Sequence, residues 1–206
     1  MKIRNLVILV VLFLFFTQCA DNEGISSSQA ESFIKFYGGP FVDAGNDVRQ
    51  TSDGGYILAG TIMTTDKGTD MLLIKTDEFG NEQWLKTFGD SLDDSGLGLQ
   101  ITDDGGYIVV GSYGNTAEDN PEETHTDLFL LKTDAGGTEE WRSIVGYEYD
   151  ETGCCVLQND DGSYIAAGST TNGDSENPAG TLDSYVVMVD ENGNLIREKS
   201  YGSEYD

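Results

Sequence analysis

The sequence predicts an all-β chain built from a repeated unit of four short antiparallel strands, and three observations support this prediction. The octapeptide DGGYILAG, which begins at Asp53, returns as DGGYIVVG at Asp104 and as DGSYIAAG at Asp161. Glycines stand eight and fifteen residues before each of these aspartates. The copies are 51 and then 57 residues apart, which is the period of one blade of a β-propeller.

Each unit contains four predicted strands, A to D. In the first unit, strand A surrounds Val48, strand B is 56–62, strand C is 71–76 and strand D is 82–88. Strands B and C are apolar at successive positions, which is typical of a strand buried on both faces. Glycine supplies the positive φ of a tight hairpin between strands A and B. The residues predicted to form these structural turns are Asp53, Gly54, Gly55, Asp104, Gly105, Gly106, Asp161 and Gly162.

The repeat also sets the expected blade boundaries. A lone strand D at 33–38 precedes three complete blades at about 42–89, 93–146 and 150–202, and 203–206 would begin a further blade. Closed propellers typically have four to eight blades, so three blades predict an incomplete propeller with two unprotected apolar sides. We expect a truncated reading frame, a fragment, or a protein that closes by self-association, and truncation is the favoured interpretation. Missing blades or further copies would then complete the ring.

Three sequence elements of the repeat resemble a known family. They are D-G-G-Y-I-x-x-G, D-x-x-L-x-K-x-D-x-x-G-N and W-x-x-x-F-G-G, and together they resemble the propeller repeat of about 50 residues found in bacterial and archaeal surface proteins. The resemblance covers residues 33–206. It implies a fold and names no ligand.

Residues 1–18 resemble the signal peptide of a bacterial lipoprotein. A basic start is followed by an apolar run over 6–16, which is shorter than the roughly 20 residues that cross a bilayer. The resemblance implies that Cys19 is lipidated and anchors the chain in a membrane. The acidic segment after Cys19 resembles the export signal of surface lipoproteins in Bacteroidetes-type bacteria, which implies surface exposure on the outer membrane. Residues 19–32 are predicted to be a flexible acidic tether.

The formal net charge of −26 restricts the possible partners. Proteins that bind nucleic acid need basic patches, and electrostatic attachment to anionic lipid needs them too. Binding to nucleic acid and electrostatic attachment to anionic lipid are therefore not predicted. The carboxylates form a solvated acidic surface in one interpretation and hold Ca²⁺ in another.

Strand order places the variable connections on one end of every blade. The B–C and D–A connections, here called the loop end, vary in length and carry charge, whereas the A–B and C–D turns, the turn end, are tight. Binding sites commonly evolve where a repeat varies. The candidate cation or ligand residues at the loop end are Asp43, Asp93, Asp94, Asp119, Glu122, Glu123, Asp150 and Glu151. No EF-hand-like calcium loop is present in the sequence.

Several other residues have a structural interpretation beside a functional one. Trp84 and Trp141 occupy equivalent positions and are predicted to pack between blades rather than to stack on sugars. His125 is the single histidine, so a zinc site or catalytic relay based on histidine has little support. Lysines at the end of strand C are expected to reach a nearby carboxylate. These lysines are Lys75 and Lys132.

The adjacent Cys154 and Cys155 are expected to be small buried residues of strand A. A vicinal disulfide is the alternative, although it would strain the backbone.

These observations favour a lipid-anchored surface propeller that acts as a non-catalytic binding or scaffolding module, with an unidentified protein or glycan as its ligand. Two alternatives remain open. One is a fragment of a glycan-active enzyme, for which Asp94 and Glu151 are the position-matched carboxylates. The other is a structural module stabilised by Ca²⁺, and no other cofactor is predicted.

Overall fold

The computed structural model describes residues 33–64, 68–116, 124–146, 149–171 and 182–202. Within these ranges the chain forms twelve β-strands and no helix. No helix long and apolar enough to cross a membrane therefore occurs in them. The predicted signal peptide, Cys19 and the acidic tether lie outside the described residues.

The twelve strands form three four-stranded sheets. Every neighbouring pair within a sheet is antiparallel, and each sheet follows the order of the chain. The first sheet contains β1 (Asp43–Gln50), β2 (Tyr56–Thr64), β3 (Gly68–Thr76) and β4 (Glu82–Phe88). The second contains β5 (Ser95–Ile101), β6 (Tyr107–Thr116), β7 (Thr124–Thr133) and β8 (Glu139–Val145). The third contains β9 (Glu151–Gln158), β10 (Tyr164–Thr170), β11 (Asp183–Val189) and β12 (Leu195–Tyr201). The all-β class and the four-strand unit are confirmed.

The predicted lone strand at 33–38 is wrong in its secondary structure, because residues 33–37 have no strand conformation. A strand D needs a strand C as its ladder partner, and residues 33–37 join none of the three described sheets. The alignment of the repeat nevertheless holds in space. The Phe33 ring lies 6.0 Å from the ring of Tyr56, as Trp84 lies 6.1 Å from Tyr107.

The turns between the first two strands of each sheet have the predicted geometry. Gly54, Gly105 and Gly162 have φ values of 84°, 83° and 86°, which favour glycine because a Cβ is strained there. In the first turn, the Asp53 carboxylate accepts the Gly55 N–H at 3.1 Å. The repeated DGG segment is therefore a hairpin turn.

The three sheets pack face to face in chain order. One face of the second sheet, including Val109 and Phe129, packs on Ile57 and Leu73 of the first sheet. Its opposite face, including Ile108 and Leu130, packs on the third sheet. The successive apolar positions of the middle sheet are thus buried on both sides, as their pattern predicts. Burial of each such side chain stabilises the fold by about 1.5–3 kcal/mol.

The tryptophans connect one sheet to the next. The Trp141 ring lies 5.5 Å from the ring of Tyr164 in the following sheet. A Cβ at Gly193, which has φ 81°, would approach the Trp141 ring to 2.5 Å. Gly137 stands in the same relation to Trp84. Both tryptophans therefore have the predicted packing role.

The outer face of the third sheet is partly uncovered. Ala167 and Val186 are aligned with one another across the strands and are half-exposed. Their counterparts in the second sheet, Val110 and Leu130, are 0% exposed because the third sheet covers them. The outer face of the first sheet is open only in part, since Leu72 and Ile74 are buried whereas Val48, aligned with Leu58 on the same face, is 50% exposed.

Candidate functional site

Two pairs of carboxylates lie at the loop end, at equivalent positions of successive sheets. A Cβ on Gly89 would collide with oxygens of both Asp70 and Asp94. A Cβ on Gly146 would collide in the same way with Asp127 and Glu151. The glycine after strand D therefore lets two acidic side chains meet, one from the start of strand C and one from the start of strand A in the next sheet.

Asp94, in the first pair, is a carboxyl with a strongly raised pKa. It is fully buried, and its carboxylate accepts the N–H groups of Asp90 at 2.9 Å and Gly114 at 3.0 Å. Burial, together with the charges of Asp90 and Asp70, raises the pKa of Asp94 to about 6, although the two N–H bonds oppose the rise. Asp90 in turn accepts the Tyr113 hydroxyl at 2.6 Å, and this bond is the main cause that raises the pKa of Tyr113 to about 12.

The neighbouring acids of the predicted site join one sheet to the next. Asp93 accepts the Thr69 N–H at 2.8 Å and the Thr69 hydroxyl at 3.2 Å. Asp150 makes the equivalent bonds to Thr126, at 2.9 and 3.3 Å. Each aspartate therefore fastens the start of strand C of one sheet to the chain that enters the next sheet.

The two remaining described acids of the loop end make local contacts. Asp43 accepts the Gly39 N–H at 2.7 Å and the Met63 N–H at 3.2 Å. Glu151 is buried and accepts the Thr170 hydroxyl at 2.7 Å. The other three candidates, Asp119, Glu122 and Glu123, lie outside the described residues.

The predicted acids of the loop end that the structure describes do not form a single cluster. Asp94 pairs with Asp70 and Glu151 with Asp127, so the two position-matched carboxylates stand in separate pairs. No group of three or more His, Cys, Asp and Glu side chains suited to a metal ion occurs in the described part of the chain. The pairing partners could have been found in the sequence, since Asp70 and Asp127 both begin the apolar run of strand C.

His125 lies beside the second pair. Its Nε2 is 3.5 Å from Asp127 Oδ1, and both side chains are largely buried. Asn115 donates to the other Asp127 oxygen at 2.9 Å. A protonated His125 would therefore form an ion pair with Asp127, a contact that the polar sequence around His125 does not indicate.

At the turn end, the two buried lysines reach carboxylates as expected. Lys75 Nζ lies 2.9 Å from Asp53 Oδ2. Lys132 Nζ lies 2.8 Å from Asp104 Oδ2 and 2.7 Å from Glu140 Oε2. Burial acts to raise the pKa of Asp104, but Lys132, the Thr102 hydroxyl and the Gly106 N–H together lower it to about 2.

A cavity of about 590 Å³ opens at the turn end between the first and second sheets. Its polar lining includes Asp53 and Gln83, and its aromatic lining includes Trp84. The tight A–B and C–D hairpins predict a closed turn end, and no residue pattern in the sequence indicates this cavity. The lining residues are Gln50, Thr51, Ser52, Asp53, Lys75, Gln83, Trp84, Ile101, Gly105, Tyr107 and Ala135.

The equivalent gap between the second and third sheets is bridged. Gln158 Oε1 accepts the Asp103 N–H at 2.9 Å, and Trp141 Nε1 donates to the Glu191 carbonyl at 3.0 Å. Ile101 occupies the position of Gln158 in the first gap, and its aliphatic side chain cannot accept such a bond. This difference is visible in the aligned repeats and removes one of the bonds that bridge the second gap.

The expectation for the cysteines is wrong. Cys154 and Cys155 are free thiols, and both are exposed. Cys154 is the extra residue of an irregularity in β9, and Cys155 is aligned with Ala167 on the partly uncovered outer face.

The chain was compared with models of known protein families and with curated proteins, and neither comparison found a match. Its function must therefore be argued from its own residues.

Proposed function

We propose that this chain is a non-catalytic binding or scaffolding module made of β-propeller blades and held on the surface of the outer membrane by a lipid on Cys19. The observation that carries the proposal is the use of the loop-end carboxylates. Asp93 and Asp150 accept backbone N–H groups from strand C of the preceding sheet, so these acids hold successive sheets together. Loops that such a frame presents are free to vary and to bind.

Contacts between successive first strands support the propeller architecture. Asn46 Nδ2 in β1 donates to the Gly96 carbonyl in β5 at 2.8 Å, and the Leu99 N–H donates to Asp47 Oδ2 at 2.9 Å. The first strand of each sheet therefore lies beside the first strand of the next. A propeller blade places its first strand near the central axis in the same manner.

The uncovered face of the third sheet supports a need for further sheets. Leu157 on this face is 54% exposed, whereas the equivalent face of the second sheet is buried by the third sheet. We propose that additional blades or a second copy of the chain cover this face, because exposed apolar strands otherwise promote association with other chains.

Light scattering over a range of protein concentrations tests the second copy. Leu157→Lys should weaken self-association at least tenfold. Leu195→Lys is the matched control, since Leu195 is similarly exposed but is aligned with Val189 on the opposite face. A wild-type chain that is monomeric throughout and melts at high temperature would refute self-association.

The anchor is tested separately in cells. Incorporation of labelled palmitate should be lost in Cys19→Ala, and the wild-type chain should be digested when intact cells are treated with protease. Retention of the label in the variant, or protection from protease, would contradict the anchor or the surface location respectively.

The glycan-active alternative remains testable because an acid with a pKa near 6, such as Asp94, could serve as a general acid. A glycan array followed by a hydrolysis assay should detect binding without turnover. Hydrolysis that disappears in Asp94→Asn would favour the enzyme. For the Ca²⁺-stabilised module, a melting temperature that rises with Ca²⁺ would favour that alternative.

A further inference from the structure

The two adjacent thiols of β9 lie on one side of the strand instead of on opposite sides. Cys154 Sγ is 4.0 Å from Cys155 Sγ, and both residues are exposed. Successive side chains of a regular strand point to opposite faces, so two neighbouring side chains would not normally approach so closely. A local feature of the backbone must bring these thiols together.

That feature is a β-bulge. Cys155 is aligned with Ala167 of β10, and Gly153 is aligned with Gly168, which leaves Cys154 as the extra residue between them. Bulges redirect side chains. The same irregularity occurs in the first strand of the other two sheets, between Gly45 and Asp47 and between Gly96 and Gly98. The bulge therefore belongs to the repeated fold, whereas the thiols occur only in the third sheet.

The separation of the two sulfur atoms suits chelation. Two thiolates on one tetrahedral metal ion, each with a bond of about 2.3 Å, have their sulfurs ~3.8 Å apart. A disulfide requires about 2.05 Å, so the thiols would have to move about 2 Å closer. The observed 4.0 Å is thus much nearer to the geometry of two ligands on a shared ion than to a covalent bridge.

We propose that Cys154 and Cys155 form a vicinal dithiol site that binds a soft, thiophilic metal or metalloid ion through both sulfurs while the outer face of the third sheet, where Cys155 is aligned with Ala167, is uncovered. Soft thiolate ligands select such ions over hard cations, so this site is distinct from any Ca²⁺ site at the loop end. Burial, together with the neighbouring Cys155, raises the pKa of the Cys154 thiol. Protons therefore compete with the ion, and binding should be measured at mildly alkaline pH.

The proposed chemistry can be written with a trivalent arsenical as the probe. Phenylarsine oxide reacts with the two thiols to form two S–As bonds. Both S–H bonds and the As–O bonds break, and the two protons leave with the oxygen as one molecule of water. Arsenic remains trivalent, so the step needs neither an oxidant nor a reductant.

The experiment uses the full chain carrying Cys19→Ser, in which the pair supplies the only thiols. Intact-mass measurement at a concentration where the chain is monomeric should show one phenylarsenic adduct per chain. The adduct should withstand excess glutathione and be removed by a small dithiol. Cys154→Ser and Cys155→Ser should each lower the glutathione-resistant fraction at least tenfold, because one thiol cannot chelate.

Three results would overturn the proposal. The first is an adduct that survives glutathione equally well in either single variant. The second is a folded chain that forms no adduct while the urea-unfolded chain does, since the bulge would then hold the thiols unfavourably. The third is a pair isolated from the cell as a disulfide that does not take the probe until it is reduced.

Discussion

The buried Lys132 allows a quantitative test of the turn end. The side chain of Lys132 is 3% exposed, whereas those of Asp104 and Glu140 are 57% and 46% exposed. Lys132→Met removes the buried charge and leaves two carboxylates that water can solvate. The lost bonds to charged groups contribute about 1.5–3 kcal/mol, and rehydration and burial of the methionine offset part of this. We expect the free energy of unfolding to fall by about 1–2 kcal/mol, and Met188 holds the same position in the third sheet.

The reverse perturbation should be more damaging. Asp104→Asn combined with Glu140→Gln leaves the Lys132 ammonium buried without an opposite charge, which typically costs 3–5 kcal/mol. Glu140→Gln alone recreates the first sheet, where Gln83 lies 3.3 Å from Lys75 Nζ, so its cost should be below about 1 kcal/mol. Urea unfolding at pH 7 measures these differences, with exposed Lys86→Met as the control. A double variant that is more stable than Lys132→Met would refute the reasoning.

The ion pair between Lys132 and Asp104 also makes the free energy of unfolding depend on pH in acid. Because the folded pKa of Asp104 is lowered from 3.8 to about 2, its stabilisation is present above pH 3.8 and is lost as the pH falls towards 2. Linkage alone would give ~2.4 kcal/mol, which the exposure of the carboxylate reduces to about 1 kcal/mol. Lys132→Met should remove this part of the acid dependence.

Three further predictions concern contacts that recur between sheets. Gly137→Ala should lower the free energy of unfolding by about 3 kcal/mol, because Gly137 has φ 74° and the new Cβ would lie 2.9 Å from the Trp84 ring. Gly105→Ala is the control and should lower it by only about 1 kcal/mol, because Gly105 has φ 83° but faces open space. Equal losses in urea unfolding would contradict the ring contact. Because the folded pKa of Asp94 is raised from 3.8 to about 6, its contribution to stability is present below pH 3.8 and is lost as the pH rises through 6. Asp94→Asn should therefore reduce the pH dependence of the free energy of unfolding between pH 4 and 6. An unchanged dependence would refute this. Trp141→Phe removes the 3.0 Å hydrogen bond to the Glu191 carbonyl and keeps an aromatic ring, as at Phe33. Thermal unfolding should show that it lowers the free energy of unfolding by about 1 kcal/mol. Trp141→Ala should lower it by at least twice as much.

The sequence predicted the strands well because their signals are local. The glycines of the DGG turns have the positive φ that the motif requires, and the apolar runs of strands B and C are buried as their periodicity indicates. The segment at 33–38 shows where this reasoning ends. Phe33 takes the position that the repeat assigns to it, but strand conformation depends on a hydrogen-bonding partner, which the sequence of the segment cannot supply.

Side-chain environments were harder to predict because they depend on register and on neighbouring sheets. The close approach of Cys154 and Cys155 follows from a bulge. A glycine precedes this bulge in all three first strands, but the glycine alone does not show where the next side chains point. The carboxylate pairs depend on Gly89 and Gly146. The repeat shows that these glycines recur at a fixed position, but it does not show which side chains lie beside them. The high pKa of Asp94 arises first from burial and then from the charges of Asp90 in its own connection and Asp70 in the preceding sheet.

The repeated motifs therefore determine the strands and turns of each sheet, whereas the side chains that line the gaps between sheets can differ from one repeat to the next. The two gaps at the turn end have the same strands, turns and aromatic contacts. One of the positions at which they differ lies in strand A, where Gln158 bridges its gap and Ile101 lines a cavity. A substitution at this position changes the access to Trp84 and Gln83 without changing the hairpins that hold them. Binding specificity in a protein of this kind can consequently evolve at positions where aligned repeats disagree, and Ile101 is such a position at the end of the blades opposite the acidic loops.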